Sequence, residues 1–261
     1  MEKEIQNQEI IITAGVKIKP VGNALEIEHL KVSFRNLHVL KDLNLTLGNG
    51  ENLIVLGKSG SGKSVLIKCL VGLITPDDGK ITIKGEVANN LKGESLEKAR
   101  RKIGFLFQSA ALYDSMTIRE NMEFPLRGSN AGTDKEIDAL VKEALENVGL
   151  LEAIDKMPSE LSGGMRKRIG LARTLILKPE IMLYDEPTTG LDPITSREIS
   201  KLILDMQKKY NTSSIIITHD IECARITGNR MLVIKDGLCA AQGTYEELKN
   251  SEDQWIRSFF E

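Results

Sequence analysis

A glycine-rich segment of the 261-residue chain has the composition of a phosphate-binding loop. It follows the pattern G-x-x-x-x-G-K-[ST] and consists of Gly57, Lys58, Ser59, Gly60, Ser61, Gly62, Lys63 and Ser64. An apolar run at residues 53–56 precedes it and an apolar helical segment at 65–71 follows it. Glycines let backbone N–H groups approach phosphates at a helix N-terminus. The Lys63 ammonium adds charge at the β- and γ-phosphates, and Ser64 supplies a hydroxyl to Mg²⁺. The segment therefore predicts a site for ATP and Mg²⁺.

Two adjacent carboxylates end another apolar run, at residues 181–184. Beside a phosphate loop, Asp185 is predicted to hold Mg²⁺, through a water, and Glu186 to orient or deprotonate the attacking water. Side chains alternate in direction at the end of a strand, so the two carboxylates suit two different roles. The alternative is a pair of solvated surface acids.

A second candidate anion site lies at Ser162, Gly163 and Gly164, just before an apolar helical segment at residues 169–177. Free N–H groups and the helix dipole bind anions at such a helix start, although an ordinary N-cap has the same composition. The chain then has two phosphate-binding helix starts but one set of residues for Mg²⁺ and water. We therefore expect the second start to serve a nucleotide held by another, similar chain.

The hydrophobic pattern indicates how these segments are positioned. Short apolar runs at residues 53–56, 103–107, 181–184, 214–217 and 231–234 alternate with amphipathic segments, which is typical of a parallel sheet covered by helices. Alternation between residues 25 and 47 predicts a small sheet before the main one. Helices are predicted at 133–148, after Asp192 with Pro193 at its first position, and after a capping box at 244–247.

Composition excludes several classes of function. A net charge of -2, with 41% hydrophobic and 28% charged residues, is ordinary for a globular protein and predicts no nucleic-acid surface. The basic run at residues 166–168 is interpreted as a solvated helix face. The three cysteines lack metal-ligand spacing and indicate a reducing compartment. Neither a secretory signal nor a membrane-spanning run is expected, so a membrane role would require a partner.

Taken together, the motifs resemble those of the ATP-binding subunits of ABC transporters, from about Leu25 onward. The further matches are a glutamine, Gln108, after the run at 103–107, a D-loop at 190–192, and a histidine, His219, after the run at 214–218. The resemblance implies an α/β P-loop NTPase fold of ABC type, with a mostly parallel sheet flanked by helices, an N-terminal antiparallel sheet and a helical subdomain. It places the ATPase domain at 25–261 and the subdomain at about 109–165, and residues 1–24 are interpreted as a loose tail.

The resemblance also implies how the sites are shared. It implies a head-to-tail homodimer, or a pair with a similar ATPase chain, that holds two ATP molecules. Each ATP lies between the phosphate loop of one subunit and Ser162 to Gly164 of the other. Gln108 would reach Mg²⁺ and the attacking water, His219 would bond the γ-phosphate, and Phe34 would stack on adenine. The alternatives are a packed structural role for His219 and a core role for Phe34.

Residues 106–117 and 159–168 are similar to the lipid-asymmetry subfamily, whose members move phospholipids with a permease and a lipid-binding protein of the mammalian-cell-entry type. Met165, where most ABC proteins have glutamine, agrees with this subfamily. The subfamily implies a cytoplasmic protein, peripheral on the cytoplasmic face of the inner or plasma membrane. The alternatives are an ABC ATPase for another substrate, or a soluble ABC-type ATPase that acts as an iron–sulfur assembly scaffold or in DNA maintenance.

Two apolar segments are candidates for contacts with partner proteins. Residues 112–126, including Tyr113 and Phe124, carry more large apolar groups than a solvated loop needs, and we expect a permease to dock there unless they pack under the helical subdomain. At the C-terminus, Trp255, Ile256, Phe259 and Phe260 share one side of a helical wheel. That face is expected to dock either on the chain's own domain or on the partner subunit.

Overall fold

The computed structural model describes residues 22–89, 91, 93–129 and 131–261. The strands are β1 (Asn23–Phe34), β2 (Leu37–Gly48), β3 (Asn52–Gly57), β4 (Asp78–Ile83), β5 (Glu86–Val87), β6 (Ile103–Leu106), β7 (Ile181–Asp185), β8 (Ser213–Ile217), β9 (Arg230–Lys235) and β10 (Leu238–Gly243). The helices are α1 (Lys63–Leu70), α2 (Gly93–Arg101), α3 (Ile118–Gly128), α4 (Asp134–Glu146), α5 (Gly163–Leu175), α6 (Pro193–Tyr210), α7 (Ile221–Thr227), α8 (Tyr245–Lys249) and α9 (Gln254–Arg257). Most of the predicted tail, residues 1–21, lies outside the described residues.

The main sheet has the order β10-β9-β3-β8-β7-β6, and its strands are parallel from β9 to β6. β10 pairs antiparallel with β9 at one edge. Every residue of β3 and β8 is buried. Both faces of these strands are covered, which explains why they are continuous apolar runs in the sequence. The predicted α/β fold is confirmed.

The N-terminal sheet is antiparallel, with the order β2-β1-β4-β5. In β2, Leu43, Leu45 and Leu47 are buried and the residues between them are exposed, as the alternation predicts. The sequence interpretation was incomplete, because β4 and β5 come from the segment after α1. Ile81 and Ile83 of β4 and the buried side chains of α1 belong to one core between the two sheets, whereas both residues of β5 are exposed.

The helical subdomain has its own core. Side chains of α3, α4 and α5 meet there, among them Met122, Val141 and Ile169. α4 begins at the predicted capping box, in which Thr133 and Glu136 bond each other's backbone. Since Leu171 of α5 packs in the core under the main sheet while Ile169 packs in the subdomain core, α5 joins the two parts.

The C-terminal segment docks on the chain's own domain. Ile256 is buried, and Trp255, Phe259 and Phe260 pack against the core that lies between α6 and the main sheet. The ring of Phe260 meets Tyr245 edge-on, with 5.3 Å between centroids. Within the described parts of the chain, no helix is both long enough and apolar enough to cross a bilayer. All three cysteines are free thiols.

Candidate functional site

The predicted motifs meet at one edge of the main sheet. The phosphate loop follows β3, His219 follows β8, the acidic pair ends β7, and Gln108 follows β6. In the sheet these four strands are consecutive neighbours, β3-β8-β7-β6. Because parallel strands bring their carboxyl ends to the same side, residues more than a hundred positions apart in the sequence share one crevice.

The phosphate loop has a conformation that requires glycine at two positions. Gly62, the N-cap of α1, has φ +107°, and a Cβ there would lie 2.6 Å from Leu40 Cδ2. At Gly57 a Cβ would lie 2.7 Å from the carbonyl oxygen of Ile234. Neighbouring elements therefore press closely on the loop and fix its path.

The Lys63 ammonium lies across this loop. Its Nζ donates to the carbonyl oxygens of Gly57, at 2.6 Å, and of Lys58, at 3.0 Å. Burial lowers the pKa of Lys63, while the carboxylates of Glu186 and Asp185 oppose that shift. The phosphate loop and the acidic pair thus lie within electrostatic range of each other.

The two carboxylates have different surroundings. Burial, followed by the neighbouring Glu186, raises the pKa of Asp185, and Lys68, Lys167 and Lys63 act in the opposite direction. Burying an unpaired negative charge is costly, and a bound cation would offset that cost. Asp185 is therefore suited to hold a cation, whose charge would stabilise the ionised carboxylate.

Glu186 instead faces His219. Its Oε2 lies 2.7 Å from His219 Nδ1, and it accepts bonds from Thr189 Oγ1 at 3.2 Å and from the His219 backbone N–H at 3.3 Å. The Glu186 backbone has φ +50°, in the left-handed region that non-glycine residues rarely adopt. His219 is exposed and is held at the site by this contact, so a packed structural role for His219 is wrong.

The predicted Mg²⁺ ligands offer the ion suitable chemistry. Ser64 has an exposed hydroxyl at the start of α1, Asp185 a carboxylate, and Gln108 an exposed amide. Hard oxygen donors of this kind suit Mg²⁺, which usually keeps waters and substrate phosphates among its ligands. Within the described ranges, no group of three or more His, Cys, Asp or Glu residues is placed to hold a metal ion.

Ser162 is the N-cap of α5, and its Oγ accepts a bond from Met165 N–H at 3.2 Å. The side chain is exposed. The two glycines after it pack against α6 and the loop before it in the same chain. A Cβ at Gly164 would lie 2.7 Å from Thr195 Cγ2 of α6, and one at Gly163 would lie 3.3 Å from Leu191 Cδ2 of the loop. Ser162 does cap its helix, and its role toward a second nucleotide stays a prediction.

Phe34 is 46% exposed at the end of β1, beside the turn into β2. The core role that we considered for it is therefore wrong. Further along β2, Val39 and Leu40 are the residues that crowd Gly62. The β1–β2 hairpin thus leads directly to the phosphate loop, and adenine stacking by Phe34 stays a prediction.

Lys167 is the functional candidate that the sequence interpretation missed. The basic run at 166–168 was interpreted as solvated, but Lys167 is only 5% exposed. Its Nζ donates to the carbonyl oxygen of Gln108 and, at 3.1 Å, to that of Glu186. Helical periodicity could have located it, because Gly164 and Leu171, three residues before and four after, are buried on the same face.

Comparisons with known proteins agree with this geometry. The sequence profile of the family described as "ABC transporter" matches residues 40–189. The chain is 39% identical over 240 residues to the probable ribonucleotide transport ATP-binding protein mkl of Mycobacterium leprae, covering 92% of this chain and 69% of mkl. It is 35% identical over 237 residues to the intermembrane phospholipid transport system ATP-binding protein MlaF of Haemophilus influenzae, covering 91% of this chain and 90% of MlaF. A methionine import ATP-binding protein, MetN 2 of Rhodopseudomonas palustris, is 36% identical over 239 residues, covering 90% of this chain and 63% of MetN 2.

Among solved structures, the fold matches the dimeric ATP-binding cassette MJ0796 in a post-hydrolysis state bound to ADP and Pi. The TM-score is 0.77 at 31% sequence identity, and the match covers 85% of this chain and 98% of that one.

Proposed function

Because the chain belongs to the ABC transporter family, as a transport-coupled ATP-binding subunit with ATPase activity, we propose that it drives a phospholipid transporter. ABC ATPases dimerise and work with membrane permeases. The proposal adds the substrate class, a lipid-binding protein of the mammalian-cell-entry type as a further partner, and a position on the cytoplasmic face of the inner or plasma membrane.

Each residue at the crevice then has a defined task. Lys63 and the N–H groups of the phosphate loop bind the ATP phosphates. Ser64, Asp185 and Gln108 would hold Mg²⁺, which when bound neutralises charge on the phosphates. Glu186 takes a proton from the attacking water, and His219 keeps the Glu186 carboxylate in place and bonds the γ-phosphate. Ser162 to Gly164 complete the site of the neighbouring subunit.

The observation that carries the phospholipid assignment is the similarity to MlaF, which extends over nine-tenths of both chains. The similarity to MetN 2 makes methionine import the main rival. Since transported molecules are contacted by other subunits, the identity of those subunits decides between the two.

An exposed aromatic pair that a permease could contact supports transport rather than a scaffold role. Tyr113 and Phe124, 45% and 50% exposed, lie with ring centroids 5.1 Å apart just after the Gln108 loop. They do not pack under the helical subdomain. Two exposed aromatic rings in contact form a patch suited to a protein partner.

The test is purification of the tagged chain from detergent-extracted membranes, followed by mass spectrometry of the bound proteins. We expect a permease together with a protein of the mammalian-cell-entry type. A methionine-binding lipoprotein with its permease would contradict the phospholipid assignment, and absence of any membrane protein would contradict transport. Cysteines placed at Tyr113 and Phe124, with the three native cysteines replaced, should crosslink to the same permease.

A further inference from the structure

Lys167 is a charged side chain almost fully removed from water at the centre of the candidate site. Burying an ammonium is costly unless hydrogen bonds replace its hydration. Burial does lower the pKa of Lys167, and the nearby carboxylates of Glu186 and Asp185 counteract this shift. Its Nζ donates to two backbone carbonyls that come from different loops, Gln108 and Glu186. Lys167 therefore bridges the loops that follow β6 and β7.

The bond to the Glu186 carbonyl acts on a strained peptide. Glu186 has φ +50°, which is unfavourable for a non-glycine residue and persists only where the surroundings hold it. Its N–H donates to the carbonyl oxygen of Ile217 at 2.9 Å, and its carbonyl accepts from Lys167 at 3.1 Å. Both polar groups of the residue are thus fixed from outside, and this backbone directs the carboxylate toward His219.

The bond to the Gln108 carbonyl fixes the other loop against the same helix. Beyond Gln108, both Ala110 and Ala111 have positive φ, +62° and +47°. The side of α5 that carries Lys167 continues at i+3 and i+6 with Gly170 and Arg173. A Cβ at Gly170 would lie 2.8 Å from Ala110 Cβ, and Arg173 Nη2 donates to the carbonyls of Ala110, at 3.1 Å, and Ala111, at 2.8 Å. One face of α5 therefore holds this loop along its length.

We propose that Lys167 is a positioning residue for ATP hydrolysis, which joins the backbones of Glu186 and Gln108 so that their side chains keep a fixed separation. It rests on the roles proposed above for Glu186 and Gln108. Lys167 has no contact with nucleotide in this scheme. It acts through the two carbonyls, because a misplacement of about 1 Å at a reacting group can slow a reaction by roughly 100-fold.

The test uses purified full-length chain and compares four variants with the wild type. Lys167→Met keeps the length of the side chain and removes the donor, whereas Lys167→Arg keeps a charged donor. Arg168→Met is the matched control, since Arg168 is the next residue of α5 and its guanidinium bonds to other partners, Glu198 on α6 at 2.6 Å and the carbonyl oxygen of Val148. Glu186→Gln tests the proposed function separately. For each protein we would measure kcat and KM for ATP, the Kd of a fluorescent ATP analogue, and the melting temperature.

We expect Lys167→Met to lower kcat by about 10- to 100-fold and to change the Kd by less than about threefold, because only the reacting geometry is lost. Lys167→Arg should retain more of kcat than Lys167→Met, and Arg168→Met should keep kcat within about twofold. If the methionine variant does not fold, Lys167→Gln, which has a shorter side chain with a neutral donor, is expected to show the same split between kcat and Kd.

Wild-type kcat in Lys167→Met would overturn the inference, and so would parallel loss of kcat and of ATP binding, which indicates general damage to the fold. Near-normal hydrolysis by Glu186→Gln would instead refute the proposed role of Glu186. The two failures are therefore distinguishable within one set of measurements.

Discussion

Replacing Gly164 by alanine separates two reasons for a glycine at this position. The residue is buried in the first turn of α5, and its missing Cβ would lie 2.7 Å from the Thr195 methyl carbon on α6. A carbon–carbon contact is normally about 3.5–4.0 Å, so the added methyl overlaps Thr195. By this geometry, glycine is required for packing between α5 and α6. The alternative is that glycine is needed because its bare backbone faces the neighbour's nucleotide.

Two opposing contributions set the change in the free energy of unfolding. Overpacking costs about 1–3 kcal/mol, and the better helix propensity of alanine returns at most about 1 kcal/mol. We therefore expect Gly164→Ala to destabilise the fold by up to about 2 kcal/mol, the difference of these two contributions.

The compensating change is Thr195→Ser. It removes the methyl that overlaps and keeps the hydroxyl, which donates to Asp192 Oδ2 at 2.6 Å. Alone, the loss of one methyl should cost about 0.8 kcal/mol or less. In the double variant the overlap is absent, so we expect a coupling energy equal to the overpacking cost, about 1–3 kcal/mol, in favour of the pair.

Urea unfolding of the two single variants and the double variant gives this coupling energy, and ATPase assays on the same samples give function. We expect the double variant to recover both stability and hydrolysis. Additive destabilisation would refute the packing argument. Recovered stability without recovered hydrolysis would show that the bare backbone of Gly164 is itself needed at the shared nucleotide site.

Further predictions concern the acids, the shared site and the C-terminus. Glu186→Gln should slow phosphate release by on the order of 100-fold or more with ATP binding retained, because an amide cannot accept the proton; steady-state assays check this, and near-normal turnover contradicts it. Ser162→Arg should block ATP-dependent pairing in the Glu186→Gln background by its bulk, and light scattering that shows unchanged dimers would refute a shared site. Asp185→Asn should raise the melting temperature of nucleotide-free protein with Mg²⁺ chelated. Burial raises the pKa of Asp185, so the ionised carboxylate destabilises the fold at pH values above that pKa. The stability advantage of asparagine should therefore shrink as the pH falls through the pKa of Asp185 in the folded protein. Deleting residues 253–261 should lower stability, because Ile256 is buried in the chain's own core, and calorimetry that shows an unchanged melting temperature would contradict this docking.

The sequence predicted well those features of function and secondary structure that depend on short segments of the chain. The phosphate loop is recognisable because Gly62 and Lys63 stand between an apolar strand and a helix, and both neighbours formed as predicted. Capping boxes at Thr133 and Thr244 located helix starts, since each cap is satisfied within four residues of sequence. The buried strands of the main sheet were predictable because they are covered on both faces.

Contacts between distant segments could not be predicted in the same way. Phe34 was ambiguous between a core and a surface position, and the tertiary structure leaves it exposed. Likewise, β4 and β5 joined the N-terminal sheet although the chain reaches them only after α1, because pairing partners are chosen by the fold as a whole.

The sequence by itself determined that this chain binds a nucleoside triphosphate and which residues are suited to the task. Only the tertiary structure decided how those residues hold one another. The approach of His219 to Glu186 depends on β7 and β8 being neighbours. The burial of Lys167 depends on two loops that close over α5. A solvated lysine and a buried lysine have the same side chain. The difference lies in what the fold packs around it, because at Lys167 two backbone carbonyls replace most of the water that would solvate the ammonium.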